Sequence, residues 1–145
     1  MPSFIALHGP PGCGKSTIIK QARKQGQLAY DIEELGDSYA ARLAAAREVF
    51  AKHRGERVLF GAADLSPKDF PDGTKQVLIL PPKDIYCSRV NCRDTDIPHK
   101  AGQGGVEYKY DAFAKRREDY DGVIEAAGGV LEAFAEIRSK FDSKK

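Results

Sequence analysis

Eight residues near the start of the chain have the types and the spacing that phosphate binding requires. Residues 9–16 read GPPGCGKS, which fits the pattern G-x-x-x-x-G-K-[ST] without a mismatch. Its glycines tolerate backbone angles that let successive N–H groups surround phosphate oxygens. Lys15 can then reach the β- and γ-phosphates of a nucleoside triphosphate, and the Ser16 hydroxyl can bind Mg²⁺. The predicted nucleotide contacts are Gly9, Pro10, Pro11, Gly12, Cys13, Gly14, Lys15, Ser16 and Thr17.

The segments on either side of this loop strengthen the interpretation. Residues 3–7 are mostly apolar and predict a buried strand, and the apolar positions Ile18, Ile19 and Ala22 predict a helix after the loop. Such a helix directs its free N–H groups and the positive end of its dipole at the same anion. The alternative is a glycine-rich turn that binds nothing, and the order strand, loop, helix argues against it.

Length and composition limit the possible classes of protein. The 145 residues are the size of one domain, and no run of about 18 apolar residues predicts a membrane segment. The N-terminus lacks the pattern of a secretory signal. Three cysteines cannot all pair with one another, so a reduced, cytoplasmic location is expected. The net charge of +2 neither favours nor excludes a nucleic-acid partner.

Strand and helix patterns alternate along the chain, which predicts a parallel sheet covered by helices. Between these elements, Ser38 or Asp37 is expected to begin a helix with a buried stripe. Residues 94–105 are rich in Pro and Gly and predict a mobile loop. The predicted strands are 3–7, 27–30, 57–61, 76–80 and 122–126. The predicted helices are 14–24, one that begins at Asp37 or Ser38, 83–93, 106–120 and one after residue 129. The buried stripe of the helix that begins at Asp37 or Ser38 consists of Tyr39, Leu43, Ala46 and Phe50.

A carboxylate at the end of the second predicted strand is the candidate for acceptor chemistry. Ligands of open α/β sheets bind outside the carboxyl ends of the strands, where Asp31 and the glycine loop would both lie. Asp31 can accept the proton of a substrate hydroxyl and orient it for attack on a γ-phosphate. The alternative is a capping carboxylate for the turn at 32–36. Glu33 could share the acceptor site, and Arg42 is equally consistent with an anion contact and with a surface role.

In element order, nearly the whole chain resembles the small P-loop kinases, which include shikimate kinase, gluconate kinase, the nucleoside monophosphate kinases and kinases of nucleic-acid hydroxyls. The residue-level likeness lies in the loop at 9–16. The resemblance implies an α/β, three-layer P-loop NTPase fold. It has a five-stranded parallel sheet of order 2-3-1-4-5, with helices on both faces. It also implies that residues 1–145 are a single kinase domain with a short lid at about 89–106.

The resemblance assigns roles to further residues. Arg89 and Arg93 resemble lid arginines, which stabilise the charge on the transferring phosphoryl group; a solvated basic helix face is the alternative. Gly128 resembles part of the loop along the adenine. Asp64 resembles the carboxylate that holds Mg²⁺ through water, although residues 61–63 place it further from the strand than usual. The implied catalytic residues are Lys15, Asp31, Arg89 and Arg93.

Two other patterns have both a functional and a structural explanation. Cys87, Cys92 and His99 resemble zinc ligands of some kinase lids, but five positions along a helix point the two cysteines to different sides. The aromatic and basic residues between 108 and 117 are consistent with single-stranded nucleic-acid binding. An amphipathic helix with a core face is the favoured explanation of that segment. His8 is expected to be structural.

These observations together predict a phosphotransferase that uses ATP and Mg²⁺ and phosphorylates a hydroxyl acceptor. Asp31 favours a hydroxyl over a phosphate acceptor. The acceptor could be a small metabolite, a nucleoside or nucleotide, or a hydroxyl on a nucleic acid or a modified base. The alternatives are a regulatory ATPase without an acceptor and a nucleic-acid-binding module that retains the loop. The chain lacks an Asn-Lys-x-Asp motif and an apolar run ending in Asp-Glu, the marks of GTPase switches and AAA motors. A monomer or homodimer is expected.

Overall fold

Five strands form a parallel sheet in the order predicted from the sequence. The computed structural model describes residues 3–9, 14–86, 105–125 and 130–143. Its strands are β1 (Ser3–His8), β2 (Leu28–Asp31), β3 (Arg57–Gly61), β4 (Lys75–Ile79) and β5 (Gly122–Ile124). They lie in the order β2-β3-β1-β4-β5, with β1 and β2 both pairing in parallel with β3. This confirms the predicted strand order of 2-3-1-4-5 and the α/β fold class.

Helices connect the strands. They are α1 (Lys15–Lys24), α2 (Tyr39–Lys52), α3 (Gly105–Lys115) and α4 (Val130–Ser143), and residues 83–86 are also helical. Ser38 begins α2 as predicted, because its side chain accepts a hydrogen bond from the Ala41 N–H. Helix α3 ends earlier than predicted. The chain tightens there into a 3₁₀ turn at Arg117–Asp119, and the Arg116 N–H donates to the Phe113 carbonyl.

The unit that contains β1 to β3, α1 and α2 has an aromatic core. The rings of Phe4 and Phe50 each meet the ring of Phe60 edge-on, at centroid distances of 5.3 and 5.1 Å. Ala46 and Phe50 provide the buried face of α2, as the periodicity predicts. Tyr39 does not join it and is 45% exposed, because its hydroxyl donates to the Asp69 carboxylate at 2.9 Å. The prediction of a four-residue buried stripe was therefore wrong at Tyr39.

The unit that contains α3, β5 and α4 has a core of its own. The rings of Tyr86 and Tyr110 are 5.1 Å apart, and the Tyr110 hydroxyl donates to the Pro81 carbonyl. The Leu80 N–H donates to the Ile124 carbonyl at 2.7 Å, which joins the chain after β4 to β5. Tyr110 is buried and Phe113 packs against the same cluster. These two aromatic side chains serve the core, which supports the amphipathic-helix interpretation of this segment.

Candidate functional site

The carboxyl ends of β1, β3 and β2 form one row of backbone positions. Leu7 of β1 pairs with Gly61 of β3, and Gly61 pairs with Asp31 of β2. Since adjacent strands lie about 4.8 Å apart, Asp31 is about 10 Å across the sheet from Leu7. The glycine loop begins at Gly9, two residues after Leu7. The structure thus places Asp31 at the sheet edge where β1 leads into the loop.

Two glycines of the loop have backbone conformations that favour glycine. Gly9 has a φ of 152° and Gly14 a φ of 118°, a region that side chains with a Cβ rarely adopt. Helix α1 begins directly after Gly14, so Lys15, Ser16 and Thr17 occupy its first turn. N–H groups in a first turn have no partner within their helix. No acidic residue lies in this turn, and the positive end of the helix dipole favours an anion there. These features fit the phosphates of a bound nucleoside triphosphate.

One carboxylate oxygen of Asp31 makes a local capping hydrogen bond. Its Oδ1 accepts a hydrogen bond from the Glu33 N–H at 3.2 Å and so caps the 3₁₀ turn Ile32–Leu35. The capping role expected as the alternative is therefore real for this oxygen. No described residue donates a hydrogen bond to Oδ2. Oδ2 can accept a hydrogen bond from a substrate hydroxyl while Oδ1 holds the turn.

Gly61 keeps space open beside the Asp31 carboxylate. A Cβ at position 61 would lie 3.7 Å from Asp31 Oδ1 and 3.5 Å from Ile19 Cγ1. A larger side chain would extend into the space next to the carboxylate. The sequence reasoning missed this residue, which is the last of β3 and pairs with Asp31.

Asp64 and Arg42 pair with each other near the same edge. Arg42 Nη1 lies 3.0 Å from Asp64 Oδ2, and Arg42 Nε donates to the Gly36 carbonyl at 3.0 Å. Ala63 turns the chain toward this pair with a φ of 52°. The guanidinium thereby joins the segment after β2 to the segment after β3. These contacts favour a structural role for both side chains over anion binding by Arg42, and the predicted Mg²⁺ role of Asp64 stays a prediction.

Replacing Arg42 with alanine is expected to lower the free energy of unfolding by about 1–2 kcal/mol, because two hydrogen bonds of a charged, partly buried side chain are lost. Asp64→Asn is expected to cost less than about 1 kcal/mol, since Asp64 is 41% exposed. Urea unfolding of both variants and of the double variant measures the coupling between the two side chains. Arg47→Ala, on the exposed side of the same helix, is the control. Equal effects of Arg42→Ala and Arg47→Ala would contradict the pairing.

His8, the last residue of β1, is buried between strands. Its side chain is 2% exposed, and its Nε2 lies 2.6 Å from Gln76 Oε1. Burial lowers the pKa of His8 to about 4. The Gln76 hydrogen bond opposes this shift, and the nearby Lys15 charge adds a smaller lowering effect. A neutral ring at pH 7 donates from Nε2 to Gln76, which agrees with the structural role expected from the sequence.

This burial predicts a pH dependence of stability. An unfolded histidine takes up a proton near pH 6.5, whereas folded His8 stays neutral down to about pH 4. Protonation therefore favours the unfolded chain, and the loss is on the order of 3 kcal/mol at pH 4. Urea unfolding at pH 7, 5.5 and 4 measures it. In His8→Asn the carboxylates still titrate but this contribution is gone, so an identical pH dependence in parent and variant would refute the assignment.

Several predicted site residues lie outside the described ranges. They include the middle of the glycine loop, the arginines assigned to the lid at about 89–106 and the residue assigned to the adenine loop. The zinc alternative also involves undescribed positions. These residues are Pro10, Pro11, Gly12, Cys13, Cys87, Arg89, Cys92, Arg93, His99 and Gly128. Their roles stay predictions.

Within the described ranges, no group of three or more His, Cys, Asp or Glu side chains is arranged to hold a metal ion. Ser16 and Asp64 thus remain single candidate ligands for Mg²⁺. No helix in the same ranges is long and apolar enough to cross a membrane.

Comparison with known proteins finds similarity in fold alone. No family model matches the sequence, and no curated protein matches it significantly. Shikimate kinase from Acinetobacter baumannii in complex with shikimate superposes with a TM-score of 0.64 and 18% identity, covering 99% of this chain and 95% of that one. A gluconokinase from Sinorhizobium meliloti 1021 gives 0.61 and 13%, with 99% and 98% covered.

A third solved structure of this kind is deoxyadenosine kinase from M. mycoides with bound dATP. It superposes with a TM-score of 0.58 and 15% identity, covering 96% of this chain and 99% of that one. All three are small P-loop kinases that match over nearly their full length. Because these sequence identities are low, the similarity establishes only the fold. The chain has the fold of the small P-loop kinases.

Proposed function

We propose that the protein is a Mg²⁺- and ATP-dependent phosphotransferase that moves the γ-phosphate of ATP to a hydroxyl group. The observation that carries this proposal is the row Leu7–Gly61–Asp31. It sets a carboxylate, to one oxygen of which no described residue donates a hydrogen bond, about 10 Å from the strand that leads into the glycine loop. A triphosphate held at the start of α1 and a hydroxyl held by Asp31 can meet at this edge.

In this mechanism the side chains mainly position the reactants and stabilise charge. The Lys15 ammonium and the N–H groups at the start of α1 hold the β- and γ-phosphates. Asp31 Oδ2 accepts a hydrogen bond from the acceptor hydroxyl and takes its proton as the oxygen attacks the γ-phosphorus. The bond between the γ-phosphorus and the β–γ bridging oxygen breaks, and ADP leaves. Mg²⁺, when bound with Ser16 as a ligand, neutralises phosphate charge. Arg89 and Arg93 are proposed to do the same from the lid.

Glu33 and Arg42 differ in whether their side chains are available to an acceptor. Glu33 is exposed and donates its backbone N–H to Asp31, so its side chain is available at the rim of the acceptor site. Arg42 already pairs with Asp64 and the Gly36 carbonyl. Its charge is thus largely compensated, which argues against a phosphorylated acceptor at this position and supports a hydroxyl compound.

The decisive experiment follows labelled phosphate. The protein is incubated with γ-labelled ATP, Mg²⁺ and panels of small hydroxyl compounds, nucleosides, nucleotides, and DNA and RNA oligomers that include modified bases. Transfer to one class of acceptor, lost in Lys15→Ala, is the expected result. Slow release of inorganic phosphate with no labelled acceptor, equal in the parent and in Asp31→Asn, would instead establish a regulatory ATPase and refute the proposal. That alternative has a real basis, because Asp31 also caps a turn.

A further inference from the structure

The 3₁₀ turn after β2 ends directly on the first turn of α2. The residue that ends it, Gly36, has an extended backbone. A Cβ on Gly36 would lie 2.8 Å from Ala41 Cβ and 3.0 Å from the Arg42 backbone nitrogen, so a larger residue would push the two segments apart. Glycine permits such a close approach of one backbone to another. The end of the turn and the start of α2 therefore form one packed unit.

The side chain of Arg42 fixes this unit to the segment that follows β3. Its Nε donates to the Gly36 carbonyl at 3.0 Å, and its Nη1 donates to Asp64 Oδ2 at 3.0 Å. A guanidinium group is planar, so the two bonds leave it in fixed directions, whereas a lysine ammonium would be a flexible point charge. Asp64 lies three residues after Gly61, the residue of β3 that pairs with Asp31. Arg42 thus joins the far end of the turn to the strand beside Asp31.

The near end of the same turn holds the Asp31 carboxylate. The backbone of Asp31 is fixed by its pairing with Gly61, but its side chain is held at Oδ1 by the Glu33 N–H. That bond is 3.2 Å long, at the upper end of the range for an N–H···O hydrogen bond, so a small displacement of the turn would break it. Without the bond the carboxylate can rotate about its side-chain torsions. The direction of Oδ2 therefore depends on where the turn places the Glu33 N–H.

We propose that Arg42 is a positioning residue for Asp31. It holds the 3₁₀ turn against α2 and the segment after β3, the turn holds Asp31 Oδ1, and Oδ2 thereby keeps one direction toward the acceptor hydroxyl. Arg42 itself contacts neither ATP nor the acceptor in this role. The catalytic part of the role rests on the proposed phosphate transfer, because a general base acts efficiently only when it is aimed at the proton that it takes. The orientation of the carboxylate by Arg42 does not depend on that transfer.

Exchange of the Glu33 N–H with water tests the orientation directly. It is measured by NMR on the full chain without nucleotide or Mg²⁺, with the N–H of Leu59, in the middle of β3, as the reference for global unfolding. Arg42→Gln is expected to speed Glu33 exchange about tenfold relative to this reference, as the loss of a charged hydrogen-bond donor would. Arg47→Gln makes the same change at an exposed position of α2 and should leave it unaltered. Parent-like Glu33 exchange in Arg42→Gln would overturn the proposal.

A second variant reaches the turn by another route. Gly36→Ala keeps the guanidinium but adds the Cβ that would lie 2.8 Å from Ala41 Cβ, so it should displace the turn and speed Glu33 exchange as well. It decides the question if Arg42→Gln does not fold. Glu33 exchange at the parent rate in Gly36→Ala would overturn the link between the position of the turn and the Asp31 cap.

Label transfer tests the catalytic consequence, with the compound of the hydroxyl panel that the parent labels as the acceptor. Arg42→Gln is expected to lower kcat about tenfold with the KM for ATP unchanged. In the Asp31→Asn background the same substitution should have no further effect, because the carboxylate that it positions is gone. A merely structural role would lower kcat equally in both backgrounds, and that result would overturn the proposal. If the parent transfers no phosphate while Glu33 exchange still responds to Arg42→Gln, the proposed phosphotransferase fails and the orientation of Asp31 by Arg42 stands.

Discussion

Replacing Lys15 with alanine is expected to lower ATP-dependent phosphate transfer by about a hundredfold to a thousandfold. The ammonium group is the one positive side chain in the first turn of α1, directly after Gly14. Charge that develops on the transferring phosphoryl group is stabilised by such preorganised cations, and removing one comparable electrostatic partner costs about this factor. Initial rates of label transfer, together with titration of ATP binding, measure the effect on the reaction and on the ground state separately.

Lys20→Ala is the matched control for this experiment. Lys20 lies on the same helix, is exposed and is four residues beyond Ser16, the last residue of the glycine loop. Its removal subtracts the same charge from α1 without changing the first turn, so the transfer rate should stay close to that of the parent. Urea unfolding of both variants shows whether the fold is intact. A Lys15→Ala variant that retains the parent rate would refute the role assigned to the loop.

The fold was predictable because its signals are local. The apolar strand segments, the glycine loop and the Ser38 cap are each contained in a few neighbouring residues. Strand order then came from the resemblance to the P-loop kinases, and the pairing of β1 and β2 with β3 confirms that part of the order. The position of Asp31 at the sheet edge followed from the same reasoning, although Asp31 is the last residue of β2 rather than the first after it.

Contacts between distant residues were not predictable in this way. Tyr39 has the right spacing for the buried face of α2, but a hydrogen bond to Asp69, 30 residues away, keeps it at the surface. Asp64 resembles a Mg²⁺ carboxylate by its place in the sequence, yet Arg42, 22 residues earlier, pairs with it. Periodicity and motif spacing contain no information about such partners, since each depends on how separate segments pack.

Sequence patterns also do not show the partners of Asp31, whose two carboxylate oxygens take part in different interactions. The sequence predicts capping of the turn as the alternative to a catalytic role. In the structure Oδ1 caps the 3₁₀ turn, and no described residue donates a hydrogen bond to Oδ2. Structural and catalytic roles are therefore compatible in one side chain. A substitution that preserves the first and removes the second can distinguish them.

Asp31→Asn is that substitution. An asparagine Oδ1 accepts the Glu33 N–H as the carboxylate does, so the turn should persist and the free energy of unfolding should change little. The amide cannot take a proton from the acceptor hydroxyl, and loss of a general base lowers rates by about a hundredfold to ten-thousandfold. Steady-state label transfer should accordingly show a large fall in kcat with ATP affinity unchanged.

Two comparisons make this result specific to the Asp31 carboxylate. Asp37→Asn is the same chemical change at an exposed position six residues later, and it should leave transfer unaltered. Asp31→Ala removes the cap as well as the base, so it should lose about 1 kcal/mol of stability in addition to activity. If Asp31→Asn transfers phosphate at the parent rate while Asp31→Ala is merely less stable, Asp31 serves only as a cap. The acceptor hydroxyl would then have to be oriented by another group at the same sheet edge, of which Glu33 is the nearest in sequence.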